Sequence, residues 1–128
     1  MKASYKFIFL REKKRLIEKL SGDIDFDSLM MISKEMQSHP EFSPDMDLIV
    51  DLINCKVLLT YEEMESFVEW LGTSMQRIKG RVAFITDDPL AYGTSRVFAG
   101  LSDGLQSEIN FFGSIEYAER WLDEMNKK

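Results

Sequence analysis

The feature that most constrains this chain is the run from Asp47 to Thr60, DLIVDLINCKVLLT. Leu48, Ile49 and Val50, followed by Leu52 and Ile53, form an almost continuous apolar segment interrupted only by Asp51. Its length is that of one strand. A strand apolar on both sides is a central strand with helices over each face. Thr60-Tyr61-Glu62-Glu63 then supplies a capping box, and the most regular amphipathic pattern of the chain follows it.

That pattern places Met64, Phe67, Val68, Leu71, Met75 and Ile78 at steps of three and four, predicting a helix that ends at Lys79-Gly80, where the glycine suits a left-handed C-terminal position. Before the central strand, Tyr5 to Leu10 is rich in Phe and Ile. From Arg15 to Leu20, Leu16, Glu18 and Leu20 alternate against Ile17 and Lys19. The charged stretch Arg11 to Lys14 suits a hairpin connection, and Gly22 is read as the end of the second strand. Asp25 is placed to cap a helix from about Phe26 to Ser38, with Leu29, Ile32 and Met36 on one face, stopped by His39-Pro40.

After Gly80, Arg81 to Thr86 reads as a second buried strand. Asp87-Asp88-Pro89 opens a helix to about Leu105 carrying Leu90, Val97, Phe98, Leu101 and Leu105. Glu108 to Phe112 is a last strand, and Ser114 caps a helix with Ile115, Ala118, Leu122 and Met125 as its stripe and Trp121 beside it. The order β-β-α-β-α-β-α-β-α predicts one α/β domain over residues 1–128. Its sheet would be mixed and mostly parallel, with an N-terminal antiparallel hairpin and about four helices.

Four local patterns resemble the SpoIIAA-like family of small bacterial proteins, whose fold is that of the STAS domain and is compared with the lipid-binding CRAL-TRIO domain. They are His39-Pro40-x-Phe42, Leu48-Ile49-Val50-Asp51-Leu52, Leu90-Ala91-Tyr92-Gly93-x-x-Arg96, and Phe111-Phe112 leading to Ala118-x-x-Trp121-Leu122. The resemblance implies a STAS-like regulatory or protein-interaction module in a bacterial cytoplasm, non-enzymatic and without a cofactor. Anti-sigma-factor antagonists of this fold carry a phosphorylatable serine at the start of the helix after the central strand. Thr60 stands at that position as a candidate phospho-acceptor, without the surrounding serine motif. The CRAL-TRIO comparison implies, as an alternative, a small apolar or acidic ligand in a cleft between the helices that start at Thr60 and Pro89.

Charge and composition set limits on these readings. Residues 1 to 20 hold seven basic and two acidic side chains, so the rest of a chain of net charge −6 carries −11. An acidic body argues against nucleic acid, whose phosphates require clustered Lys and Arg. The basic turn at Lys13, Lys14 and Arg15 is read as solvated, with an acidic partner as the lesser alternative. No apolar run reaches the ~18 residues of a membrane span, and Lys6 and Arg11 bound the first apolar patch too tightly for a signal peptide. The lone Cys55 forms no internal disulfide and fits a reducing cytoplasm. One histidine, His39, excludes a multi-His metal centre, and no Gly-rich phosphate loop or Cys-x-x-Cys is present.

The candidate interaction or ligand surface is therefore Asp51, Thr60, Tyr61, Tyr92, Gly93 and Arg96. Within it, Asp51 is read first as a carboxylate hydrogen-bonded to loop amides, with a place at a cleft edge facing Arg96 as the alternative, and Gly93 is read as permitting close approach of a backbone or ligand. No catalytic or metal-binding residue is assigned. A protein partner is expected, and a homodimer is compatible with the sequence.

Overall fold

The computed structural model describes residues 1–73, 80–101 and 108–125. Five strands, β1 (Ser4–Leu10), β2 (Arg15–Ile24), β3 (Asp47–Val57), β4 (Val82–Ile85) and β5 (Ile109–Phe112), form one sheet in the spatial order 1-2-3-4-5. β1 and β2 are antiparallel; every later pair is parallel. Four helices accompany them: α1 (Phe26–Ser38), α2 (Tyr61–Thr73), α3 (Pro89–Leu101) and α4 (Ile115–Met125). The expected element order is the observed one, and the continuously apolar strand β3 is the middle of the five.

Strand order decides where the helices lie. Each parallel connection steps one strand in the same direction, so right-handed crossovers put α1, α2 and α3 on a single face. Leu16, Leu20, Ile24, Leu48, Val50, Leu52, Val82 and Phe84 point to that face and pack with Ile32 and Met36 of α1 and Phe98 of α3. Among the described helices, α4 alone reaches the other face, where Ala118 and Leu122 lie on Ile17, Ile49, Ala83 and Ile85. α4 is too short to span that face. Beyond its cover Ile53 is exposed and Asp51 is partly so.

The local signals act where the sequence placed them. Asp25 accepts from the Ser28 amide at 2.8 Å, and Ser114 accepts from Tyr117 N at 3.5 Å. The Thr60 box is reciprocal: Glu63 N donates to Thr60 Oγ1 at 3.1 Å and Thr60 N donates to Glu63 Oε1 at 2.9 Å. Thr60→Ala is expected to lower stability by about 1 kcal/mol, read from the urea midpoint. A larger loss would show that Thr60 does more than cap.

Several expectations change. β2 does not end at Gly22 but continues to Ile24, after a register shift between Lys19 and Ser21. Gly22 has φ +80°, and a Cβ there would lie 2.2 Å from the Lys2 carbonyl oxygen. Glycine is required because the N-terminus crosses it: Asp23 N donates to Met1 O at 2.9 Å and the Met1 ammonium meets Asp23 at 2.8 Å. Gly22→Ala should cost more than about 1 kcal/mol, seen as a lower urea midpoint at unchanged slope. At Gly80 a Cβ would lie 2.1 Å from the Met46 carbonyl oxygen, so close approach to the loop before β3 demands this glycine. In α3, Phe98 faces inward as expected, but Val97 is exposed, and Ala91 and Ser95 join the inward face in its place. The predicted positions Met75, Ile78 and Leu105 fall outside the described residues, as do the side chains of Leu90 and Met125.

The basic turn is not a free solvated patch. Lys14 reaches Asp45 at 3.5 Å, Arg11 pairs with Glu41, and Lys13 lies 3.8 Å from Asp123. Arg15 departs most from expectation. It is 0% exposed, beneath α4, with Nη2 2.9 Å from Asp123 and Nη1 3.5 Å from Glu119. His39 has the structural role expected: Nδ1 accepts from Glu41 N, and its ring lies 4.4 Å from that of Phe9.

Candidate ligand cavity

Met64, Phe67 and Leu71 are the buried residues of α2. They face a cavity of about 120 Å³ between the sheet and α1, α2 and α3. Its floor is Leu20, Leu48, Val50, Leu52, Val82 and Phe84; Leu29, Ser33 and Met36 of α1 line it on one side. Thr94, Ser95 and Phe98 of α3 line another side. Rings brace the α2 and α3 walls: Phe98 lies 5.9 Å from Phe67 and 5.6 Å from Phe84, and Phe84 stacks on Phe111 at 5.7 Å. Aromatic pairs at these separations hold shape as well as burying area.

One ionisable group lines this apolar space among the described residues. Glu18 shares the inward face of β2 with Leu16 and Leu20, between Phe7 of β1 and Val50 of β3, and is 6% exposed. Removal from water disfavours its charged form, and its carboxyl is pushed up to about 7. The sequence contains the signal, a glutamate in phase with two buried leucines, but the site residues drawn from sequence omit it. The other polar side chains of the lining are Ser33, Thr94 and Ser95.

The residues singled out from the sequence lie elsewhere, and not together. Asp51 points to the α4 side of the sheet, where its Oδ1 accepts from Ile53 N at 3.0 Å. Arg96 is on α3, on the opposite side, and donates to the Tyr92 hydroxyl at 3.3 Å while lying over its ring at 5.9 Å. The Asp51 carboxylate thus takes a backbone amide, as its first reading had it, and the alternative pair with Arg96 is not formed, because strand alternation sends Asp51 away from the helices that follow. Tyr92, Gly93 and Arg96 form an exposed stretch of α3, with the Tyr92 ring edge-on to Phe111 at 5.4 Å. Beyond the local helix backbone, no described residue comes within 4 Å of where a Gly93 Cβ would be, so no close approach is made there among the described residues. Thr60 and Tyr61 are exposed at the start of α2. Cys55 is partly buried, and burial, with Asp51 and Asp88 nearby, pushes its thiol up to about 12, far from a reactive thiolate.

Comparison with solved structures gives a match over nearly the whole chain. An uncharacterised protein of the DUF3478 family from Shewanella loihica PV-4, described as having a SpoIIAA-like fold, superposes with a TM-score of 0.61. The match covers 94% of this chain and 93% of that one at 18% identity. The chain has a SpoIIAA-like fold. No family model and no curated protein matches it. Among the described residues, no helix of this SpoIIAA-like chain is long and apolar enough to cross a membrane.

Proposed function

We propose that this SpoIIAA-like protein is a non-enzymatic binding module that takes a small apolar ligand into the cavity between the sheet and α1, α2 and α3. The observation that carries the reading is the cavity itself: about 120 Å³ lined almost wholly by apolar side chains of the sheet and of α1, α2 and α3. An apolar cavity of about 150 Å³ holds benzene, which puts this somewhat smaller space at the scale of a compact one-ring ligand. Of the two ligand types expected, apolar and acidic, the lining favours the apolar, since no cation lines it among the described residues. Cys55, held protonated by its burial, is not a reactive thiolate, which supports a binding rather than a catalytic role.

The regulatory part of the reading rests on where the cavity walls lead. Leu59 lines the cavity and precedes the exposed Thr60 and Tyr61; Thr94 and Ser95 line it between the exposed Gly93 and Arg96. A ligand that pushes α2 away from the sheet would therefore alter the surface a protein partner meets.

Titration with toluene, followed by methyl NMR and melting temperature, tests the binding step. Shifts confined to methyls of Leu20, Val50, Leu52, Met64 and Leu71, with a raised melting temperature, are expected. Unmoved methyls at saturating toluene would defeat the reading.

A further inference from the structure

Glu18 is a buried carboxyl facing an apolar space, and among the described residues of the lining it meets no countercharge. The described residues that neighbour it in the sheet or share the lining are neutral: Phe7 of β1, Val50 and Leu52 of β3, Ser33 and Met36 of α1, Met64 and Phe67 of α2, and Ser95 and Phe98 of α3. Among the described residues the lining contains no Lys, Arg or His and no second carboxyl. Buried polar groups are ordinarily partnered, so an isolated carboxyl aimed into a cavity points to a partner brought from outside. An acid-headed ligand would set two carboxyls against each other. A purely hydrocarbon ligand would leave the carboxyl stranded.

On the reading of the cavity as a ligand site, we propose that its occupant is a compact apolar amine, about one six-membered ring in size, whose ammonium group pairs with Glu18. The pair brings its own neutrality to a place that has none. A primary ammonium has three donors, and the hydroxyls of Ser33 and Ser95, both buried and both in the lining, are acceptors for those the carboxylate does not take. A buried ion pair is favourable only when its remaining hydrogen bonds are met in this way. Binding the cation requires ionised Glu18, so at acid pH the amine must displace a proton. Since the Glu18 carboxyl sits near 7, amine affinity should be flat above that pH and fall by about tenfold per unit well below it.

Three probes of similar size separate the possibilities: cyclohexylamine, methylcyclohexane and cyclohexanecarboxylate, titrated by calorimetry and methyl NMR against the full chain and its Glu18→Gln variant between pH 5.5 and 8.5. At pH 8 the amine is expected to bind wild type at least about tenfold more tightly than methylcyclohexane, with the carboxylate weakest, a difference of about 1.4 kcal/mol or more. Glu18→Gln should abolish the amine's advantage and its pH dependence while still binding methylcyclohexane. If methylcyclohexane binds but the amine is no tighter, is insensitive to pH, or keeps its advantage in Glu18→Gln, the amine assignment falls and the cavity reading stands. If none of the three binds either protein, the cavity reading itself is overturned, and the assignment with it.

Discussion

Glu18→Gln is expected to make the protein more stable at pH 8, by about 3 kcal/mol, and to have little effect at pH 4. The carboxyl is held near 7 in the folded protein against an ordinary 4.5, and such a displacement corresponds to about 3 kcal/mol of preference for the neutral form. The sign follows from where the proton is bound. Because the folded state holds its proton more tightly than the unfolded state, folding carries no penalty below the unfolded value. The penalty grows as pH rises from about 4.5 to about 7 and is complete above that. Glutamine has nearly the same shape and no charge to desolvate, so it removes the penalty while keeping the packing. Urea unfolding of both proteins at pH 4, 6 and 8 checks this. A stability difference that does not change with pH would mean that Glu18 is not the buried titrating group.

Arg15→Ala is expected to cost about 3 kcal/mol, the second large effect, because it removes a fully buried side chain and the cation that faces Glu119 and Asp123. Two contributions are mixed in that figure, the hydrocarbon stem and the charge. Arg15→Met separates them by keeping most of the stem. Both acids are partly exposed and remain hydrated when the cation is gone, so Arg15→Met should retain more than half of the stability that Arg15→Ala loses. Equal losses in the two variants, measured by urea unfolding, would assign the effect to the charge instead.

Arg15 and Glu18 also mark what was legible in the sequence. Element order was readable because its signals are local: a reciprocal box at Thr60 and Glu63, a cap at Asp25, an unbroken apolar run in β3. Arg15 was misread because its neighbours Lys13 and Lys14 look like a solvated turn, while its partners lie 104 and 108 residues later, on α4. Gly22 was taken for a stop because a glycine that ends a strand and one crossed by another backbone look alike in one dimension. The cavity was out of reach for a different reason. Met64, Phe67 and Leu71 at helical spacing describe a packed helix and a propped one equally well, and only the gap beneath α2 tells them apart. Asp51 and Arg96 sit in motifs of the family resemblance, yet strand parity places them on opposite sides of the sheet.

The sequential strand order also bears on how the chain assembles. Each strand finds its neighbour in the one made just before it, so the sheet and its three-helix layer can grow in step with synthesis, without waiting for a distant segment. The exception is the other face. Ile17, Ile49, Ala83 and Ile85 stay wet, and Arg15 stays without its acids, until α4 has been made. α4 thus acts as a late clasp, tied back through Arg15 to the start of β2. Hydrogen exchange should find it the first helix to open, exposing a strip of bare sheet that a chaperone would recognise.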